Sequence, residues 1–316
     1  MASEFDLIAR HFTRPASGAV LGVGDDCALM QVSPGMTLAV SSDMLVAGHH
    51  FLPDDEPAGL GHKALAVNLS DLAAMGARPR WATLALALPA ADDAWLAAFS
   101  AGFFSLAEAH GVDLVGGDTT RGPLNLCVTI FGEVPLAGAL RRDAARPGDD
   151  IWVSGTLGGA ALGLQHRLGA VVLPAALAET CLQRLHRPTP RVGLGLALQG
   201  VARAAIDVSD GLLADLGHIL ERSGCGAEIA LAVLPAEAGL DRADALHRRC
   251  LLAGGDDYEL CFTASPAQAG AVQAAARAAG VPVCTIGRIT AGGGLVLRDA
   301  GGAVLETEMR GYDHFA

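Results

Sequence analysis

Aspartates occupy the positions from which this chain could do chemistry. Asp25 and Asp26 follow a Gly22-Val-Gly24 turn, Asp43 follows Ser41-Ser42 at the end of an apolar run, and Asp71 lies inside an almost wholly apolar segment. Asp118 closes Val115-Gly-Gly-Asp118, Asp207 and Asp210 bracket Val208-Ser209, and Asp256, Asp257 and Glu259 follow Gly254-Gly255. Carboxylates on short side chains, placed at element ends or beside glycine, can converge on one point. At the edge of an apolar core such groups are costly to ionise unless paired or metal-bound. Oxygen donors completed by water and phosphate suit Mg²⁺, and bound Mg²⁺ would neutralise a nucleotide triphosphate.

Each cluster also has an ordinary reading. Asp210 or Ser209 could cap the helix that follows, Asp25-Asp26 could be a plain turn, and Asp256-Asp257 could be a solvated loop. The His49-His50 pair before Phe51 reads as packing or a polar contact more readily than as a zinc site. Asp71 resists a surface explanation best, because its segment is apolar on nearly every side. Five acidic turns in one chain carry the case that no single one carries.

Composition narrows the options. The chain has 316 residues, 34 acidic and 22 basic, for a net charge of −12, and 51% of its residues are apolar. That length suits two domains. Lys63 is the one lysine in the chain; no Gly-Lys pair exists for a P-loop, and a kinase-type strand lysine has no candidate. The acidic balance argues against a general nucleic-acid surface. Mean hydropathy is positive at +0.38, yet the longest stretch without Asp, Glu, Lys or Arg, 260–276, is short and polar for a membrane span. The N-terminus has no signal-like charge and apolar pattern. Seven scattered cysteines without a CxxC pair read as buried hydrophobes in a reducing, cytoplasmic compartment.

The elements that must position these acids alternate. Residues 36–41, 83–88, 112–115 and 125–132 read as strands, and 64–75 and 94–110 as helices, the second ending at Gly111. The polar segment 140–149 reads as a boundary between domains 1–140 and 149–316. Beyond it, a strand at 151–154 enters Gly155-Thr-Leu-Gly-Gly-Ala160, whose bare backbone N–H groups would suit an anion. A strand ending at Asp207, helices over 212–223 and 267–279, a strand over 259–263 and a hairpin turning at Gly301-Gly302 complete an α/β (α+β) pattern.

Taken in order, Gly22-Val-Gly-Asp-Asp-Cys-Ala28, Ser41-Ser-Asp-Met-Leu-Val-Ala-Gly-His-His-Phe51, Lys63-Ala-Leu-Ala-Val-Asn-Leu-Ser-Asp-Leu-Ala-Ala-Met-Gly-Ala77, Gly116-Gly-Asp-Thr-Thr120, Asp207-Val-Ser-Asp-Gly-Leu212, Gly254-Gly-Asp-Asp-Tyr-Glu-Leu260 and Gly311-Tyr-Asp-His-Phe315 resemble the thiamine-monophosphate kinase family. The resemblance implies a two-domain fold like that of aminoimidazole ribonucleotide synthetase, N-terminal domains paired in a homodimer, and ATP in the cleft. It implies Mg²⁺ positions at Asp26, Ser41, Ser42, Asp43, Asp71, Asp118, Asp207 and Asp210. ATP contacts would be Gly117, Asp118, Arg142 and Ser209; contacts to thiamine monophosphate would be His50, Glu259 and Tyr312. Asp256 and Tyr312 depart from the Glu and Trp frequent in the family, keeping an acid and an aromatic ring.

The implied reaction is ATP-dependent phosphorylation of thiamine monophosphate to thiamine diphosphate. Its phosphate nucleophile has a second pKa of about 6 and needs no general base, which agrees with the lack of a Ser-His-Asp or Cys-His constellation. Selenophosphate synthetase would want a reactive residue ahead of the first glycine turn, whereas Cys27 follows it. The hydrogenase maturation dehydratase would want a C-terminal cysteine, whereas this chain ends His314-Phe-Ala316. A nucleotide- or Mg²⁺-binding regulator without turnover is the reading from another class.

Overall fold

A computed structural model describes residues 3–306. The chain forms two compact units, one from residues 1–72 and 77–137 and the other from 73–76 and 138–316.

The first unit carries α1 (Glu4–His11), β1 (Met36–Val46), α2 (Pro57–Ala74), β2 (Arg78–Leu88), α3 (Asp93–His110), β3 (Asp113–Arg121) and β4 (Asn125–Pro135), with the last residues of α2 belonging to the second unit. Its sheet has the order β1-β4-β2-β3, with β1–β4 and β4–β2 antiparallel and β2–β3 parallel. A parallel neighbour needs a crossover, and α3 supplies it. Leu65, Leu69, Trp81, Phe99, Phe103, Leu126 and Ile130 fill the core between helices and sheet. A Cβ on Gly102 of α3 would overlap the Ala58 carbonyl of α2, so the two helices need glycine to approach.

The second unit carries β5 (Asp150–Ser154), α4 (Gly159–Arg167), α5 (Ala175–His186), α6 (Val192–Ala197), β6 (Ala204–Asp207), α7 (Leu212–Ser223), β7 (Gly226–Ala230), α8 (Ala245–Ala253), β8 (Leu260–Ala264), α9 (Ala269–Ala279), β9 (Val283–Thr290), β10 (Gly294–Arg298) and β11 (Val304–Leu305). The sheet order is β11-β10-β7-β9-β5-β8-β6; only β10–β7 is parallel. Its core gathers Ile151, Val153, Ile206, Leu216, Ile219, Ile229 and Leu251. The hairpin expected at Gly301-Gly302 is the β10–β11 turn, while residues 287–290 belong to β9.

All four strands of the first unit run further than the apolar spacing suggests, β2 starting at Arg78 and β4 reaching Pro135, and in β1 and β3 the added residues are candidate site residues. Asp43 lies inside β1 rather than at its end, and Gly116-Gly-Asp118 lies inside β3. In both cases hydrogen bonding to β4 or β2 carries the strand through residues that lack the usual β preference. Among the described residues, no helix is long and apolar enough to cross a membrane.

Candidate active site

In the first unit, β3 is an edge strand, and a cavity of about 670 Å³ opens along it beneath α1 and the 23–28 loop. The loop is pinned at its base by paired backbone bonds between Leu21 and Leu29. Gly24, with φ 127°, turns it so that Asp25 and Asp26 face the same cavity as Gly117 and Asp118. A register shift between Ala82 and Thr83 makes Val115 an extra residue in β3, and Gly117 follows at φ 149°. A Cβ on Gly117 would overlap the Leu84 carbonyl, so glycine permits both the backbone angle and the approach.

A second polar cluster forms between β1 and α2. The Ser41 hydroxyl donates to Asp71 Oδ2. Two residues on, the Asp43 N–H donates to Asn68 Oδ1 at 3.2 Å, and buried Asn68 donates to the Ala64 carbonyl at 3.0 Å. Strand alternation puts Ser41 and Asp43 on one face and Ser42 on the other. There Ser42 meets Thr129 at 2.9 Å and the Val128 carbonyl at 3.2 Å. His50 sits in the turn after β1, its Nδ1 accepting from the Val46 N–H at 3.0 Å. Lys63 is buried and donates to the His50 carbonyl at 3.3 Å.

In the second unit, Asp207 ends β6 and is buried; Ser209 and Asp210 are half-buried in the turn that follows. Neither Ser209 nor Asp210 caps α7. The cap position is Gly211, and the turn is organised by Asp215, which sequence reasoning missed. Its Oδ2 accepts from the N–H groups of Ser209, Asp210 and Gly211, each at 3.0 Å. Burial, reinforced by the neighbouring Asp210, pushes the Asp215 carboxyl up to about 7 against the pull of those three donors. A carboxylate four residues beyond the N-cap is legible as a helix-start acid, but nothing in its spacing announces a triple acceptor.

The glycine-rich turn at 155–160 is filled by the protein's own carboxylates rather than open to an anion. The Gly158 N–H donates to Asp257 Oδ2 at 2.8 Å, and a Cβ on Gly155 would collide with Glu259. Glu259 is 1% exposed. It accepts from Ser154 Oγ and Arg191 Nε, both at 2.6 Å, and forms a second contact with the Arg191 fork. Arg184 lies 3.5 Å from Glu259 and ion-pairs with Glu237, which also accepts from Thr156 at 2.8 Å. Asp257 is buried rather than solvated, and burial together with Glu259 raises its carboxyl well above the usual range. Asp256 and Tyr258 take left-handed backbone (φ 67° and 50°), and the Tyr258 hydroxyl donates to Asp256 at 3.0 Å. Arg142 extends from an exposed position, its carbonyl held by Ser223 Oγ at 2.8 Å. Tyr312 lies outside the described residues.

The fold therefore brings Asp26, Gly117 and Asp118 to one cavity, pairs Ser41 with Asp71, and sets Asp207, Ser209 and Asp210 on one buttressed turn. No three His, Cys, Asp or Glu side chains among the described residues gather closely enough to hold an ion unaided. Asp26 and Asp118 on one cavity supply hard oxygen donors of the kind Mg²⁺ takes, one or two protein carboxylates with water and substrate phosphate completing the shell.

Models of AIR synthase related protein match both halves, the N-terminal domain over 24–134 and the C-terminal domain over 146–300. The thiamine-monophosphate kinase of Escherichia coli strain K12 is 51% identical over 325 residues, covering 99% of this chain and 98% of the relative. The crystal structure of thiamine-monophosphate kinase from Stenotrophomonas maltophilia K279a is 50% identical, with a TM-score of 0.84 over 92% of this chain and 94% of that one. A structure described as AaThiL complexed with AMPPCP and TMP is 31% identical, with a TM-score of 0.79 over 90% and 89%. With half its residues shared along nearly the whole length, the chain belongs to the thiamine-monophosphate kinase family.

Proposed function

We propose that the protein phosphorylates thiamine monophosphate to thiamine diphosphate with ATP, by direct in-line transfer assisted by Mg²⁺. The observation that carries this reading is the cavity on which Asp26 meets Gly117-Asp118: carboxylates drawn from distant segments, on a chain half identical to thiamine-monophosphate kinases.

The acceptor is itself a phosphate, already largely deprotonated at neutral pH because its second pKa is about 6. No side chain has to remove a proton, so positioning and charge are what remain for the protein to supply. Bound Mg²⁺ would neutralise phosphate oxygens and the charge developing on the transferred group. Asp26 and Asp118 would hold it in the cavity. Ser41, Asp43 and Asp71 form a further donor set between β1 and α2, the Ser42 hydroxyl is turned to Thr129 on the opposite face of β1, and Asp207 and Asp210 offer carboxylates of their own on the turn of the second unit. Gly117 and Ser209 contribute ATP contacts through a close backbone approach and a hydroxyl, and Arg142 offers a planar fork suited to phosphate oxygens. His50, Glu259 and Tyr312 serve the thiamine substrate. Because the Glu259 carboxylate is engaged by Ser154 and Arg191, its part is to hold the arginines in place rather than to meet solvent.

The protein acts as a homodimer in the cytoplasm. β1 leaves Leu38, Val40 and Met44 exposed along one face, an apolar strip that a second copy would cover. Seven free cysteines support a reducing compartment. Chromatographic analysis of products from ATP, MgCl₂ and thiamine monophosphate tests the reading. One ADP should form per thiamine diphosphate, and only when thiamine monophosphate is present; ADP released at the same rate without it overturns the reading in favour of a nucleotide hydrolase.

A further inference from the structure

Helix α2 buries a polar side chain to which neither the metal nor the substrate positions give a part. Asn68 is 0% exposed in a largely apolar stretch, three residues before Asp71. A buried amide is costly unless its hydrogen bonds are made. Its Nδ2 donates to the Ala64 carbonyl at 3.0 Å, and its Oδ1 accepts the Asp43 N–H at 3.2 Å. Each partner is a backbone group with a single role, so one orientation of the amide serves both. β1 is an edge strand paired with β4 on one side, and the N–H groups on its other side have no strand to receive them. Asn68 takes the one at Asp43. Two residues earlier, Ser41 is bonded to Asp71, three residues further along the helix. Residues three apart share a helix face, so the 41–71 and 43–68 bonds form two rungs between β1 and α2. One rung would let the strand pivot on the helix; two fix its angle.

We propose that Asn68 is a positioning residue for the phosphoryl transfer. Acting through the Asp43 backbone, it holds the Asp43 carboxylate in register with Asp71, so that the pair is placed for Mg²⁺ before the metal arrives. The inference rests on the Mg²⁺-assisted reading above and extends it to a side chain that touches neither metal nor phosphate. Size and charge at this position are specific to the task. Serine would stop short of β1, leucine would fill the space and leave the Asp43 N–H without its acceptor, and aspartate would add a third carboxylate beside Asp43 and Asp71. Groups that orient metal ligands by hydrogen bonding affect metal affinity without contacting the ion.

The test compares the full wild-type chain with Asn68→Ser, Asn68→Leu, Asp43→Asn and the combination of Asn68→Ser with Asp43→Asn. Serine keeps a hydroxyl for the Ala64 carbonyl and loses the reach to Asp43; leucine keeps the volume and loses both bonds. Circular dichroism in EDTA identifies the variants that fold. Mn²⁺, which takes the same oxygen ligands as Mg²⁺, is titrated through the electron paramagnetic resonance signal of the free ion, with a non-hydrolysable ATP analogue present and no turnover. Loss of the ligand-orienting bond predicts roughly 10- to 100-fold weaker Mn²⁺ binding in both Asn68 variants. The Mg²⁺ concentration giving half-maximal rate should rise in parallel. With Asp43→Asn already in place, Asn68→Ser should cost little more, because its effect runs through the Asp43 carboxylate. Wild-type Mn²⁺ affinity in a folded Asn68 variant overturns the proposal. So do losses that add in full in the combined variant, or collapse of both Asn68 variants, since either makes Asn68 a purely structural group. If affinity and coupling behave as predicted while no thiamine diphosphate forms, the positioning role stands and the kinase reading fails.

Discussion

Asp215 has no place among the residues that resemblance assigns, yet it fixes three consecutive N–H groups of the turn bearing Asp207, Ser209 and Asp210. Removing the acceptor leaves those donors unsatisfied, at a cost of about 1–3 kcal/mol for each that water cannot reach. Asp215→Ala should therefore lower both the melting temperature and kcat, while Asp215→Asn, which retains one carbonyl acceptor, recovers part of each; equal kcat in the three proteins would remove the positioning role. Asp257 offers a test of sign. Its pKa in the fold is raised by burial and by Glu259, so the folded chain retains a proton that the unfolded chain releases. The stability this confers is fully present below the unfolded pKa near 4 and declines by about 1.4 kcal/mol per pH unit above it, until the folded pKa is reached. Asp257→Asn should abolish that slope in urea titrations run between about pH 4 and 7; parallel stability curves for the two proteins would contradict it. The turn positions of Asp26 and Asp210 were legible from their glycine and serine neighbours, whereas the Arg184, Arg191, Glu237 and Glu259 network was not. Its members are spread from residue 184 to residue 259 and meet only through tertiary packing.

Elements carry the next level of the design. The bulge at Val115 and the left-handed Gly117 redirect β3 so that Asp118 reaches the cavity while the strand keeps its pairing with β2. Gly117→Ala places a methyl group on the Leu84 carbonyl and forces a φ that alanine resists. It should lower stability by roughly 2–4 kcal/mol and reduce turnover together with it, measured by chemical denaturation and initial rates. Unaltered stability would mean that the bulge tolerates a side chain. Helices α3 and α7 followed from apolar period and glycine stops, α2 did so only from residue 64 although it begins at Pro57, and the core strands followed from their β-branched and aliphatic runs. The extensions of β1 through Ser41-Ser42-Asp43 and of β3 through Gly-Gly-Asp were hidden, because those residues favour strand only when hydrogen-bonded neighbours impose it. The 155–160 turn misled for a related reason: a glycine-rich strand-to-helix turn announces an anion partner without saying whether that partner is a ligand or, as here, Asp257 and Glu259 of the same chain.

For the whole molecule, the net charge of −12 and the single buried lysine frame the chemistry. Two polyanions must meet on an acidic protein, and the proposed mechanism assigns their neutralisation to Mg²⁺ and to arginine. Val40, at 55% exposed, and Met44, at 54%, make the open face of β1 the natural place for a second copy. If the proposed homodimer forms through this face, Val40→Arg combined with Met44→Arg should halve the mass found by analytical ultracentrifugation with little change in secondary structure; an unchanged mass would contradict this contact. The most direct measurement is a crystal structure with Mg²⁺, a non-hydrolysable ATP analogue and thiamine monophosphate. Asp26 and Asp118 should both contact magnesium that also touches the analogue's phosphates, within the cavity along β3. Phosphates bound away from that cavity, or magnesium that neither aspartate touches, would contradict the metal-assisted transfer proposed for this chain.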